Sequence, residues 1–240
     1  MEVPLSREEV VAACRDVVKK NGFSDGCYLR PIIYIGTGAM GIAALSNPVH
    51  VSVAGWRWGA YLGEEGVRDG IRTMISSYRR GRPDTFMAKG KICGQYVTSI
   101  LAKREALKMG FEEAIMLDTA GLVAEGTGEN IFVAKNGVVR TPCLGSSILG
   151  GITRETSLQL LGDQGVVVKE EPFTRDELYT ADEIFMTGTA AEVTPVREVD
   201  GRAIGTGKPG PITKTLQEVY AKTVRGELPQ YASFIDRIEF

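Results

Sequence analysis

Val123-Ala124-Glu125-Gly126-Thr127-Gly128-Glu129-Asn130-Ile131-Phe132-Val133-Ala134 reads as an apolar strand, a glycine-rich turn and a second strand running from Asn130. Asn136-Gly137 follows, a two-residue type I′ hairpin signal, and Val138 to Thr141 is the returning strand. Glu125 is the odd residue of the first strand. A carboxylate on the inner face of such a strand is costly unless it is paired. Its alternatives are a polar rim on the turn, with Glu129-Asn130 as a structural pair, or an acid that faces a ligand. The Gly126-x-Gly128 turn permits close backbone approach.

Working outward, the same alternation of short strands and helices continues. Upstream, Ser6-Arg7-Glu8-Glu9 is a capping box, and Val10, Val11, Cys14, Val17 and Val18 continue it as an amphipathic helix ending near Asn21-Gly22. Two β-rich runs follow, Cys27 to Gly36 and Val51 to Trp56, and Arg57 to Gly63 reads as a connector. Gly70 to Tyr78 alternates as a strand, Gly94 to Gly110 carries helical periodicity, and Ala114 to Leu117 is a further strand. Downstream, helices are predicted from Thr153 to Leu161 and Pro211 to Val224. Ile184-Phe185-Met186 is a strand, and Asp200-Gly201 marks a second hairpin between Val196–Val199 and Arg202–Ile204. This is a mixed α/β (α+β) pattern. We place a domain boundary so that residues 1–62 belong to a small N-terminal domain and 63–240 to a large C-terminal one.

Composition narrows the chemistry. The chain has 240 residues, 43% hydrophobic and 24% charged, with net charge -2 and interspersed signs. That is an ordinary globular composition without the basic face a nucleic-acid partner requires. No apolar run is long enough for a membrane span, and Met1-Glu2-Val3-Pro4-Leu5 lacks the basic start and apolar core of a signal peptide, so a cytoplasmic location is expected. Cys14, Cys27, Cys93 and Cys143 show no metal or C-x-x-C spacing and read as buried small apolar residues. The only histidine is His50. Paired-histidine metal sites cannot be built from one histidine, and a Ser-His-Asp triad would have to use this residue. Acid–base work near neutral pH then falls to a tuned lysine, a carboxylate, a cysteine or a cofactor.

Lys91, in Gly90-Lys91-Ile92-Cys93-Gly94-Gln95-Tyr96, is the candidate amine, and its reading rests on the residues that follow it in order. Lys89 lies two residues away, on the same face if the segment is a strand. Gly150-Gly151-Ile152-Thr153 opens a helix and Thr187-Gly188-Thr189-Ala190-Ala191 ends a strand. Both offer free backbone N–H groups and a hydroxyl to an anion. Taken alone, Thr153 is equally a helix cap. Tyr96 either hydrogen-bonds a cofactor or packs. Arg30 is either a carboxylate fork or an edge-strand charge, and Trp58 and Tyr61 either wall a pocket or staple the connector.

As an ordered set these residues resemble the fold-type IV pyridoxal-phosphate enzymes, and within them the branched-chain amino acid aminotransferases. The likeness spans Val10 to Gly226. It is most specific at Tyr28-Leu29-Arg30-Pro31, Trp58 to Gly63, Glu125 to Phe132, Gly151-Ile152-Thr153-Arg154, and Glu177 through Pro195. The resemblance implies a two-domain D-amino acid aminotransferase-like fold. It implies a pyridoxal 5'-phosphate-dependent transaminase moving amino groups between L-leucine, isoleucine or valine and 2-oxoglutarate. It also implies a homodimer or higher homo-oligomer.

Roles follow from the same resemblance. Lys91 would be the Schiff-base lysine and proton shuttle, Glu125 would pair with the pyridine nitrogen, and Tyr96 with the ring hydroxyl. Leu149 would pack on the ring, and Gly151, Ile152, Thr153, Gly188 and Thr189 would hold the phosphate. Tyr28 and the Thr189-Ala190-Ala191 amides would take the α-carboxylate, and Arg30 the second carboxylate of glutamate. Met40, Ile42, Trp58 and Tyr61 would line the apolar side-chain pocket. The family often has asparagine at Gln95. It also begins earlier, with strands carrying a phosphate-binding arginine and aromatic pocket residues. The expectation is therefore an incomplete N-terminal domain, with exposed sheet edges and no replacement for that arginine. A late start or a truncated sequence is favoured over a genuine short form of impaired activity. The alternatives are a D-amino acid aminotransferase or aminodeoxychorismate lyase of the same fold, or a fragment that folds without catalysis.

Overall fold

The computed structural model describes residues 2–43, 45–59 and 61–240. The chain divides into two compact units, Met1–Gly59 with Asp236–Phe240 and Ala60–Ile235. Ala60, within the expected connector, lies outside the described residues.

In the first unit, α1 (Arg7–Lys20) starts at Ser6, whose hydroxyl accepts from the Glu9 amide at 3.2 Å. The Glu9 carboxylate accepts from the Ser6 amide at 2.7 Å. The capping box read from sequence is thus formed, and the helix ends at Asn21 with Gly22 at φ 61°. β1 (Tyr28–Ile35) and β2 (Val49–Trp56) pair antiparallel. Gly55 lets α1 sit close on β2, since a Cβ there would meet Val17 Cγ1 at 2.8 Å. The two strands have no third strand beside them among the described residues, and Ile32, Ile33, Tyr34 and Ile35 are exposed.

The second unit runs α2 (Glu64–Asp69), β3 (Ile71–Arg79), a 3₁₀ turn at Cys93–Gln95, α3 (Tyr96–Lys108), β4 (Glu113–Leu117), β5 (Val123–Gly126), β6 (Asn130–Lys135) and β7 (Val138–Thr141). It continues through α4 (Ile152–Asp163), β8 (Val167–Glu170), α5 (Arg175–Tyr179), β9 (Glu183–Gly188), β10 (Glu192–Val199), β11 (Arg202–Ala203) and α6 (Pro211–Val224). One mixed sheet orders the strands β5-β4-β3-β10-β9-β6-β7-β8, with β11 beside β10. β3 is parallel to both β4 and β10, and β7 to β8; the other pairs are antiparallel. Both faces of the sheet are covered. Ile131, Val133, Ile184 and Met186 pack with Ile71, Ile115 and Leu178 in one cluster. Phe132, Ala134 and Phe185 point the other way, against Leu160, Leu161 and Leu216. The Phe132 and Phe185 rings stack with centroids 4.9 Å apart. Burial on both faces explains why β4, β6 and β9 read as apolar runs rather than alternating strands.

Three short elements, α2, β8 and α5, were not predicted from the sequence. The cysteines also depart from expectation. None is fully buried, and Cys93 is exposed. Among the described residues no helix is long and apolar enough to cross a membrane, and no cluster could hold a metal ion.

Candidate active site

The second unit contains a cavity of about 280 Å³ at the ends of β5 and β9 and the N-terminus of α4. Its wall includes nine residues singled out from the sequence: Lys91, Tyr96, Glu125, Leu149, Gly151, Ile152, Thr153, Gly188 and Thr189.

The amine comes first. Lys91 precedes the 3₁₀ turn that opens α3, and that turn brings Tyr96 back over it. Lys91 Nζ donates to the Tyr96 hydroxyl at 2.7 Å and stands 5.1 Å from the ring centroid. Lys89 does not share a strand face with Lys91, because residues 88–90 form a turn. Its ammonium instead donates to the carbonyls of Leu144 and Ile148, the latter at 3.3 Å, and ties down the loop before α4. Burial holds the Lys89 amine below the usual lysine range, with the Glu125 carboxylate opposing and Arg154 reinforcing that shift.

Glu125 is 5% exposed, a paired interior acid rather than a rim residue. One oxygen meets the Arg80 guanidinium at 2.7 Å; the other accepts from the Leu149 amide at 3.0 Å and Asn130 Nδ2 at 3.2 Å. Burial pushes this carboxyl up to about 7, against the pull of Arg80, the Leu149 amide, Lys89 and Lys91. Arg80 is fixed in turn by the Ser147 carbonyl at 3.1 Å, Ser99 at 3.2 Å and the Phe86 ring 4.8 Å away. Two oxygens can accept about four hydrogen bonds, so three donors leave room for one more.

Another part of the wall suits an anion. Gly151 is the N-cap of α4, and no side chain caps the helix. A Cβ at Gly151 would fall 2.2 Å from Asn130 Oδ1, so only glycine fits this approach. Thr153 is buried. Thr187 is 1% exposed, and its hydroxyl has no hydrogen-bond partner among the described residues. An uncapped helix terminus beside a partnerless buried hydroxyl fits a phosphate. An amine with its tyrosine, a buried acid held by arginine, and this anion cradle fit a phosphorylated pyridine aldehyde. Arg80 is the one arginine in the wall among the described residues, and it is committed to Glu125.

The remaining expected residues lie elsewhere. Ala190 and Ala191 occupy the turn after β9, and Ala191 is buried. Tyr61 is outside the cavity wall, with Lys103 Nζ 5.3 Å from its ring. In the first unit, Arg30 donates to the Tyr28 hydroxyl at 3.1 Å. Tyr28 contacts the Trp58 ring with centroids 4.7 Å apart, and Met40 and Ile42 are 98% and 107% exposed. The sequence reading gave no role to Arg80, Phe86 or Thr127, placed Thr187 only within the turn offered to an anion, and left Glu129-Asn130 as a structural pair in one of two alternatives. Arg79, Arg80 and Arg82 look alike in sequence, and only the tertiary fold buries the middle one.

The Amino-transferase class IV family model matches residues 1–199. The branched-chain-amino-acid aminotransferase of Pseudomonas aeruginosa is 47% identical over 234 residues, 98% of this chain and 76% of that protein. The crystal structure of the Escherichia coli branched-chain amino acid aminotransferase superposes with TM-score 0.96 at 41% identity, covering 100% of this chain and 79% of that one. The branched-chain amino acid aminotransferase of Thermobaculum terrenum, solved in its PLP-bound holo form, gives TM-score 0.93 at 30% identity, covering 100% and 78%. The fold is that of a class IV aminotransferase. Within that class the chain belongs to the branched-chain-amino-acid aminotransferases, and the D-amino acid aminotransferase and lyase alternatives are set aside.

Proposed function

We propose that this chain holds pyridoxal 5'-phosphate in the cavity of its second unit and transfers amino groups between branched-chain L-amino acids and 2-oxoglutarate. The observation that carries this is the convergence of Lys91, Tyr96 and Glu125 with the α4 and β9 anion cradle on one cavity. When bound, the cofactor supplies an aldehyde to take the amino group and a ring to spread the electron pair left at the substrate Cα.

The chain's own residues do the rest. Lys91 Nζ holds the aldehyde end and, once released, carries the proton between the two carbons that exchange it. Tyr96 fixes that amine from 2.7 Å and presents its hydroxyl to the ring oxygen. Glu125, backed by Arg80, takes the ring nitrogen with its remaining acceptor site, and Leu149 covers a ring face. The Ile152, Thr153 and Thr189 amides, with the Thr187 hydroxyl and the close approach allowed by Gly151 and Gly188, bind the phosphate. Tyr28, Arg30, Ala190 and Ala191 are assigned to substrate carboxylates. Met40, Ile42, Trp58 and Tyr61 are assigned to the branched side chain. We assign a cytoplasmic location and a homodimer, the dimer supported by Val97, Ile100 and Leu101, exposed apolar residues on α3.

The test is turnover of L-leucine with 2-oxoglutarate by purified protein reconstituted with the cofactor, alongside Lys91→Ala. Leucine-dependent spectral change in the parent and none in the variant supports the assignment. Turnover retained by the variant overturns it, and no change at any cofactor concentration would make this chain a folded but inactive member of its family.

A further inference from the structure

Glu113, Glu125 and Glu129 are three interior acids gathered beside the cavity, and only two of them meet a cation. Glu125 is paired with Arg80 at 2.7 Å and Glu113 with Lys103 at 2.6 Å. Glu129 is 4% exposed, lines the cavity, and has no ion-pair partner among the described residues. Among the described residues the one hydrogen bond its carboxylate accepts is from the adjacent Gly128 amide, at 3.2 Å. Its side chain lies against Gly126, where a Cβ would meet Glu129 Oε2 at 2.8 Å, and against Gly188, where a Cβ would meet Glu129 Cγ at 3.6 Å.

The charged groups around it come from several elements. β4 brings Glu113, which also accepts from the Thr127 hydroxyl at 2.7 Å. α3 brings Lys103, already engaged by Glu113 and the Glu112 carbonyl, and β5 brings Glu125 with its Arg80. Lys91 is held by Tyr96 and Lys89 by carbonyls, while β9 brings the uncharged Thr187 and Gly188 to the same wall. A carboxylate buried without a cation, beside two other carboxylates, is neutralised by binding a proton.

We propose that Glu129 is a positioning residue that stands in the cavity wall as a neutral carboxylic acid, leaving the Arg80-paired Glu125 as the acid that faces a bound ring. The consequence for a phosphate-bearing cofactor rests on the function proposed above. Ionised Glu129 would add negative charge to a site built for an anion and would compete with Glu125 for its neighbouring cations. Burial and the Glu113 charge together push the Glu129 carboxyl up to about 8, so the neutral form prevails at neutral pH.

The deciding experiment uses cofactor-free protein: infrared difference spectra of the parent against Glu129→Gln, titrated with pH. We expect a protonated-carboxyl stretch at pH 7 that Glu129→Gln lacks and that fades near pH 8. Glu113→Gln, by removing the neighbouring charge, should move that fading down by about one pH unit. In the parent, pyridoxal phosphate affinity should fall about tenfold above the same pH, and Glu129→Gln should remove that fall. Absence of the acid band at pH 7, or a titration that Glu113→Gln leaves in place, overturns the proposal. Should Glu129→Gln not fold, the parent's own titration and Glu113→Gln decide the matter. Because the band is read without cofactor, Glu129 is tested even if the proposed transaminase function fails.

Discussion

Lys91 Nζ stands 2.7 Å from the Tyr96 hydroxyl, so the hydroxyl orients the amine. The 3₁₀ turn at Cys93–Gln95 makes this possible, folding five residues of chain back on themselves before α3 begins. Tyr96→Phe keeps the ring and removes the hydroxyl. A hydrogen bond to a charged group contributes about 1.5–3 kcal/mol, so kcat for leucine should fall about ten- to a hundredfold. Steady-state kinetics with cofactor saturation checks this, and an unchanged kcat would show that the hydroxyl does not position the amine.

The Arg80–Glu125 pair should behave as a buried ion pair. Arg80→Met leaves an interior carboxylate without its cation and should cost about 3 kcal/mol of stability, measured by urea unfolding of the cofactor-free protein. Adding Glu125→Gln to Arg80→Met removes the stranded charge. The double variant should therefore be more stable than Arg80→Met alone.

Glu125 also carries a pH signature. Its carboxyl titrates at about 7 in the fold, against an ordinary value of 4.5. Between those values the folded chain keeps a proton that the unfolded chain has lost, so stability contributed below pH 4.5 is lost as pH rises through 7. Glu125→Gln should flatten that part of the stability–pH curve in cofactor-free protein. An identical slope in parent and variant would assign the loss to another group.

Gly151 is predicted to resist even a methyl group. Its Cβ would stand 2.2 Å from Asn130 Oδ1, and Asn130 holds both the Leu149 carbonyl at 2.8 Å and Glu125 at 3.2 Å. Gly151→Ala must push that amide aside. We expect cofactor affinity to fall by at least about tenfold, more than about 1.4 kcal/mol, with a smaller change in thermal stability. A fluorescence titration with pyridoxal phosphate reads the first and a melting curve the second.

Much of this architecture was legible because local chemistry and tertiary fold agree. Asn136-Gly137 and Asp200-Gly201 adopt positive φ at both turn residues, as type I′ hairpins require, and α6 spans the predicted Pro211–Val224. α2 and β8 are too short to show a period, and the Thr174/Glu177 capping box opens a helix of only five residues. In the cavity, the glycine turns and Lys91 were visible because their residue types are unusual at those positions. Arg80 was not, since its role depends on which arginine of a cluster the chain turns inward after β3. Thr187 differs again: a hydroxyl without a partner is a property of the folded cavity alone.

That missing partner gives the sharpest separation of binding from stability. The Thr187 hydroxyl is buried at the end of β9 with no hydrogen bond among the described residues, so the fold gains nothing from it. Thr187→Val has nearly the same shape and removes an unsatisfied polar group. Melting temperature should hold or rise, within about 0.5–1 kcal/mol of the parent. Affinity for pyridoxal phosphate should instead drop about ten- to a hundredfold, the loss of one hydrogen bond to a charged oxygen at about 1.5–3 kcal/mol. Pyridoxal without phosphate should bind both proteins equally. If the variant loses stability and binds both aldehydes as the parent does, Thr187 belongs to the scaffold and the phosphate is held by the α4 amides without it.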